Sequence, residues 1–272
     1  MYWYSNLTSS VRWNGHYSRT FAVQSGVRQG GVLSPHLFAI YVDDLIVKLR
    51  KLKVGCHISN EFLAALVYAD DFCLMAPSRT ALQILLDTCV DYGKEWCITY
   101  NPKKSKIMLF GKTDHCLPLK MYEKDLEVVN KYKYLGVTVV TGDSVAFSNT
   151  RPLRHFRSSA NTILSAPVKS SEIVTIKLLY AICVPNLTYA CEALHYSSRQ
   201  FNDLNVALND CFRKVFSYHR WESVRYLRQE LGYPSLTEVF HSRTRKFHER
   251  MHFLRNDTLN FLNSLMLTDD EE

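Results

Sequence analysis

Two adjacent carboxylates, Asp70 and Asp71, interrupt the apolar run Leu63-Ala-Ala-Leu-Val-Tyr-Ala-Asp-Asp-Phe-Cys-Leu-Met75. A charged pair is costly inside a buried strand or helix unless something neutralises it. The run therefore reads as two short apolar strands that meet at a turn near Ala69-Asp70-Asp71. A tight turn aims a carboxylate at a fixed point, as metal chemistry requires. A divalent cation such as Mg²⁺, which prefers hard oxygen ligands, would neutralise the pair. The plainer alternative is a polar hairpin tip open to water.

The flanking sequence organises itself around this run. Ser10 to Gly15 and Tyr17 to Val23 look like two strands, with Asn14-Gly15 as a tight-turn dipeptide. A glycine-containing loop follows, and Ser34-Pro35 then reads as N-cap and first helical position of a helix reaching about Leu52. Leu37, Phe38, Tyr41, Leu45, Ile46 and Leu49 fall on one face of it. Ser78 is expected to cap a second helix from about Arg79 to Trp96. Asn101-Pro102 breaks the chain, and Lys104 to Phe110 and Tyr132 to Val140 read as strands. Beyond the Gly/Asp/Ser/Asn-rich segment 141–150 the pattern turns helical. Helices are expected over about Pro152 to Ser165, Ser171 to Ile182, Val184 to Tyr196, Gln200 to Tyr218, Glu222 to Leu231 and Thr237 to Met266.

Composition narrows the classes. Hydrophobic residues are 47% of 272, enough for a core and against wholesale disorder. The formal net charge of +7 suits a polyanionic partner without demanding one. None of the 8 cysteines is spaced C-x-x-C, which removes zinc-ribbon and thioredoxin-like readings. They lie scattered through apolar stretches, as buried free thiols do, and imply a reducing, intracellular setting. The start carries no basic region followed by an apolar run, so no secretory signal is read, and no stretch is long enough to span a bilayer.

Several short boxes then point one way. Tyr68-Ala-Asp-Asp71 resembles the YxDD box of reverse transcriptases. Arg28-Gln-Gly-Gly-Val-Leu-Ser-Pro-His-Leu-Phe38 is similar to the family's RQGxxLSPxLF box, and Asn101-Pro-Lys-Lys-Ser105 to its N-x-x-K-[ST] box. Lys133-Tyr-Leu-Gly136 resembles the YLG primer-grip segment. The boxes stand in the family's order from about Ser10 to Val140, and Gly26-Val-Arg-Gln-Gly30 has the style of non-LTR, LINE-type elements.

The resemblance implies roles. Asp70 and Asp71 would ligate Mg²⁺, with two ions in an intact enzyme activating the primer 3′-hydroxyl and stabilising the pyrophosphate. Gln29 and Gly30 would line the pocket for template base and nucleotide, with Tyr68 beside it and Ser34-Pro35 fixing the helix behind it. Lys104 would approach the nucleotide phosphates as charge stabiliser or proton donor. Tyr134, Leu135 and Gly136 would seat the primer end. Ordinary structural readings exist for each: a loop before a helix, a solvated lysine cluster with Lys103 and Lys106, a bulged strand.

The expected fold is α+β: a partial antiparallel polymerase palm over 1–140, a linker over 141–150, an all-α thumb and C-terminal region over 151–268, and an acidic tail over 269–272. Expected partners are an RNA template and a DNA primer, inside the cell and with access to nuclear DNA. Family members carry a further catalytic aspartate on a strand upstream of the segment matching Met1 to Leu7, and fingers before that. Without them the chain is expected to be inactive alone. The second reading is a non-catalytic remnant that holds RNA or an RNA–DNA hybrid, using arginines and aromatics of the helical region such as Arg213, Arg220, Trp221, Arg225 and Tyr226.

Overall fold

The computed structural model describes residues 6–24, 26, 30–111, 118–166, 171–251, 253–254 and 256–268. The chain divides into two compact units, Met1–Ser105 with His115–Glu127, and Lys106–Asp114 with Val128–Glu272. Both helices and small antiparallel sheets are present, an α+β composition.

The first unit opens on a long hairpin. Strands β1 (Thr8–Ser9) and β4 (Phe21–Ala22) pair at its base, and β2 (Arg12–Trp13) and β3 (His16–Tyr17) at its tip. Asn14 and Gly15 close it with φ of 46° and 84°, the left-handed pair that a two-residue hairpin loop needs. All its strand residues are exposed.

Helix α1 (Ser34–Lys51) follows, then β5 (His57–Ile58), β6 (Glu61–Phe62), β7 (Ala65–Tyr68), β8 (Asp71–Leu74) and helix α2 (Arg79–Glu95). The chain leaves for the second unit through β9 (Lys106–Ile107) and returns as the hairpin β10 (Lys120–Met121) and β11 (Lys124–Asp125). This hairpin hangs on α2 by a reciprocal amide pair: Gln83 Nε2 donates to the Lys120 carbonyl, and Lys120 N donates to Gln83 Oε1, both at 2.9 Å.

The core of this unit joins Leu45 and Leu49 of α1, Leu85, Cys89 and Tyr92 of α2, and Phe62 and Ala64. Phe72 and Leu74 pack against it from β8. Buried Tyr92 satisfies its hydroxyl by donating 2.6 Å to the Tyr41 carbonyl, and Lys48 pairs with Glu95 at 2.7 Å. Burial pushes the Cys89 thiol up to about 12, so it serves as packing rather than as a nucleophile. Gly55 is required here, because a Cβ would stand 2.3 Å from that of Ala64.

The second unit holds β12 (Glu127–Val128) in part, then the meander β13 (Lys131–Tyr134), β14 (Val137–Val140) and β15 (Ala146–Phe147). Helices α3 (Thr150–Leu164), α4 (Glu172–Leu178), α5 (Val184–Leu187), α6 (Ser198–Val215), α7 (Arg225–Glu230), α8 (Leu236–Met251) and α9 (Asp257–Thr268) complete it. Phe156, Ile176, Leu179, Leu187, Leu204, Leu208, Phe212 and Leu236 are buried together in a continuous core. Ser197 and Gln200 form a reciprocal capping box at the start of α6. Between α4 and α5 the helix relaxes into a π segment, Leu179–Cys183. Pro185 lacks the N–H that would bond the Ala181 carbonyl, which favours the wider turn there.

Several expectations change. Tyr132 to Val140 is two strands, not one, because Leu135 and Gly136 turn the chain with φ of 44° and 86°. Lys104 to Phe110 keeps only β9 as strand. The helix expected to reach Tyr196 stops at Leu187, and Ala190 has φ of 57°. Thr237 to Met266 is two helices. On α1, Val42, Leu45 and Leu49 are buried while Leu37 and Tyr41 stay exposed. Among the described residues no helix is long and apolar enough to cross a membrane.

Candidate active site

The acidic pair stands on the turn that its sequence predicts. Strands β7 and β8 pair Ala65 with Leu74, Leu66 with Cys73, Val67 with Phe72, and Tyr68 with Asp71. Directly opposed residues share a face. Ala65, Leu74, Val67 and Phe72 therefore form one face, and Ala65, Phe72 and Leu74 pack against the core. Leu66, Cys73, Tyr68 and Asp71 form the other, where Leu66, Tyr68 and Asp71 are exposed.

Only Ala69 and Asp70 remain to make the turn, and Ala69 takes φ of 52° to do so. An L-residue with a Cβ in that region costs about 1 kcal/mol. This backbone puts Asp70 at the tip and Asp71 one residue into the strand. Both carboxylates are exposed. The cost of burying a charge pair, which motivated a neutralising ion, is thus not incurred at this turn. The hydrophobic stretch is apolar because one face of the hairpin packs, while its tip stands in water.

Carboxylate oxygens suit a hard divalent cation. Two such groups on one tip could supply part of a coordination shell. Among the described residues, no cluster of three or more His, Cys, Asp or Glu side chains is placed to hold a metal ion. The donor chemistry of the pair fits such an ion.

The glycine loop and α1 come next. Gln29 lies outside the described residues. Gly30 has φ of 77°, and a Cβ added there would meet nothing within 4 Å. Glycine is required for backbone conformation rather than for close packing. Ser34 is not the N-cap. Leu33 occupies that position with φ −82° and ψ −17°, and no side chain caps the helix. The Ser34 amide instead donates to the Gly31 carbonyl at 3.1 Å, a tight turn that draws the helix start back by one residue. Ser34 is buried as the first helical residue, and Pro35 follows in the first turn, where its missing N–H costs no helical bond.

Lys104 sits on a turn built by its neighbours. Asn101 Oδ1 accepts from the amides of Lys103 at 3.0 Å and Lys104 at 3.4 Å. The Asn101 carbonyl takes the Ser105 amide and hydroxyl, both at 3.0 Å. Asn101 and Ser105 thus act as the frame that presents an exposed lysine. The sequence singled out the lysine. The signal for its frame, an Asn two residues before the first turn amide, was also there to be found.

Tyr134, Leu135 and Gly136 belong to the second unit. Tyr134 ends β13, and Leu135-Gly136 is the turn into β14. Both turn carbonyls are engaged. The Tyr189 hydroxyl donates to the Leu135 carbonyl at 2.8 Å, and Arg151 Nη1 donates to that of Gly136 at 3.1 Å. A Cβ on Gly136 would lie 2.9 Å from the Tyr189 ring. No local sequence signal marks Tyr189 or Arg151 for this task, since they come from 54 and 15 residues away.

Comparison with known proteins identifies the pattern. Residues 1–139 match the family described as reverse transcriptase (RNA-dependent DNA polymerase). The chain is 27% identical over 255 residues to the RNA-directed DNA polymerase from mobile element jockey of Drosophila funebris, covering 89% of this chain and 27% of that protein. It is 26% identical over 196 residues to the Pol polyprotein of the type-2 retrotransposable element R2DM of Drosophila melanogaster, covering 68% and 18%. A third relative is the Pol polyprotein of the type-1 retrotransposable element R2 of Popillia japonica, 25% identical over 215 residues, covering 74% and 34%. The chain spans about a quarter of the length of the jockey protein it matches. Turn, boxes and matches agree: the chain belongs to the reverse transcriptase family, of the kind carried by non-LTR, LINE-type retrotransposons.

Proposed function

We propose that this chain is the part of a retrotransposon RNA-directed DNA polymerase that carries the YxDD turn, the primer-seating turn and the thumb. The observation that carries the proposal is Asp70 at the tip of a two-residue turn with Asp71 and Tyr68 paired beside it. In this reading Asp70 and Asp71 supply carboxylate ligands to Mg²⁺. When bound, two such ions would lower the charge barrier between a primer 3′-hydroxyl and a nucleotide triphosphate. Gln29, Gly30, Ser34, Pro35 and Tyr68 border the pocket for the template base and incoming nucleotide. Lys104, held out by the Asn101 frame, offers its ammonium to the triphosphate. Tyr134, Leu135 and Gly136 seat the primer end. Residues 1–140 act as palm, 141–150 as linker and 151–268 as thumb, with RNA template and DNA primer as substrates. Access to nuclear DNA is needed for such an element's synthesis.

In the same reading the 272 residues alone are expected not to extend a primer. The test places the chain in a jockey-type polymerase in place of the matching segment. Extension on an RNA template with Mg²⁺ is expected there, and Asp70→Asn should lower it about a hundred-fold or more. Extension that survives Asp70→Asn would sink the carboxylate role. Robust synthesis by the isolated chain would sink the expectation that it is inactive alone. A second reading is a non-catalytic binder of RNA or RNA–DNA hybrid, which draws on the exposed Arg220, Trp221 and Arg225 of the helical region. Hybrid binding in a gel shift, with no extension in either context, would favour that one.

A further inference from the structure

We propose that the loop between α6 and α7 is a stacking platform for single-stranded nucleic acid, with Trp221 as the base-contacting residue and Arg220 and Arg225 as the phosphate-contacting ones. The inference rests on the nucleic-acid substrates of the family but not on the carboxylate turn. Trp221 is 81% exposed, whereas Phe156 and Phe212 of the same unit are buried in its core. Its indole lies parallel to the His219 ring, with centroids 4.7 Å apart and planes 4° from coplanar. One face of the indole is therefore covered and the other is open, the arrangement that accepts a flat partner.

The loop that carries it is fixed rather than slack. Two residues past the end of α6, Ser217 takes φ 57°, and the Tyr218 amide reaches back 2.9 Å to the Arg213 carbonyl. The His219 amide donates to the Glu222 carboxylate, and the Glu222 amide returns 3.1 Å to the His219 carbonyl. Arg213 Nε holds the Glu222 carbonyl at 3.0 Å while its Nη1 pairs with Asp210 at 2.8 Å. Buried Val224 then pins the far end in the core. An aromatic held this way loses little freedom when a base stacks on it.

Charge selects the occupant. Arg220 beside the indole and Arg225 at the start of α7 are exposed, as is Tyr226 at 77%. The acid of the loop, Glu222, is turned inward to the His219 amide. An open aromatic flanked by outward cations suits a strand that presents both bases and phosphates. A paired duplex hides its base faces, and a neutral apolar partner would gain nothing from the arginines.

The test is equilibrium binding of the 272-residue chain to a short labelled single-stranded RNA without self-pairing, and to an abasic strand of the same length. Trp221→Ala is expected to weaken binding to the base-bearing strand about ten-fold and to leave the abasic strand unchanged. Trp221→Phe should retain most of the affinity, within about three-fold, because an aromatic face remains. Arg220→Gln with Arg225→Gln should weaken both strands and lower the salt slope by about one contact per arginine. Equal loss on both strands with Trp221→Ala, or no loss on the base-bearing strand, would overturn the proposal. Thermal melting of each variant shows that the fold is kept, as expected for exposed positions. The Asp70 experiment reads synthesis and this one reads binding, so either can fail alone.

Discussion

Two hairpin turns of this protein are built alike and supported differently. Ala69-Asp70 closes β7 and β8, and Leu135-Gly136 closes β13 and β14. Each spans two residues, and each begins with a non-glycine residue forced to positive φ, 52° at Ala69 and 44° at Leu135. The first stands exposed, with its carboxylates in water. The second is clamped, one carbonyl held by Tyr189 and the other by Arg151, with the Tyr189 ring against Gly136. The strain at Ala69 is carried by the paired strands beneath it. At Leu135 it is also offset by donors from the helical part of the same unit. A turn that offers ligands outward keeps its polar groups uncommitted, and a turn that serves as an anchor commits them.

Substitutions at the two turns test whether they differ in this way. The largest effect is expected at Gly136→Ala. Positive φ with a Cβ costs about 1 kcal/mol, and displacing Tyr189 costs about as much again, so denaturant unfolding should show a loss of about 2 kcal/mol. A neutral result would mean that the clamp yields freely and that the two turns do not differ. Tyr189→Phe and Arg151→Gln each remove one donor from a turn carbonyl and should cost about 1 kcal/mol apiece. Because they act on one turn, their double mutant should depart from additivity. The smallest effect is expected at Ala69→Gly, a gain of about 0.5 kcal/mol from relieved strain, partly offset by the freer unfolded chain. A loss there would show that the tip is held by contacts rather than by its strands alone.

The motif-bearing residues were legible where the chemistry is local. The apolar strands on either side of Asp70-Asp71, the Asn14-Gly15 turn and the Ser78 cap of α2 depend on neighbours along the chain, and the structure forms all three. Local sequence also carried the reverse transcriptase resemblance. Ser34 was misplaced by one position because a glycine turn at Gly31, not a side chain, starts the helix. Leu135-Gly136 was taken as continuing strand because β-branched and aromatic residues flank it on both sides, and leucine is not a turn former.

Which residues must turn and which must be covered was written locally, because alternation, charge and glycine act over a few residues. Local pattern put Asp70 and Asp71 at a turn between two apolar strands, but it read Lys104 as the start of a strand, where the structure has the Asn101-framed turn. Which groups hold those turns in place was settled by packing over long separations. Tyr189 reaches Leu135 across 54 residues, and Gln83 holds Lys120 across 37. Those contacts are set by how helices pack, and packing depends on the shapes of cores that no local pattern encodes. The exposure of the acidic pair was decided at the same level. An apolar run shows that a strand has a face to bury, and only the packed hairpin shows where that face ends and water begins.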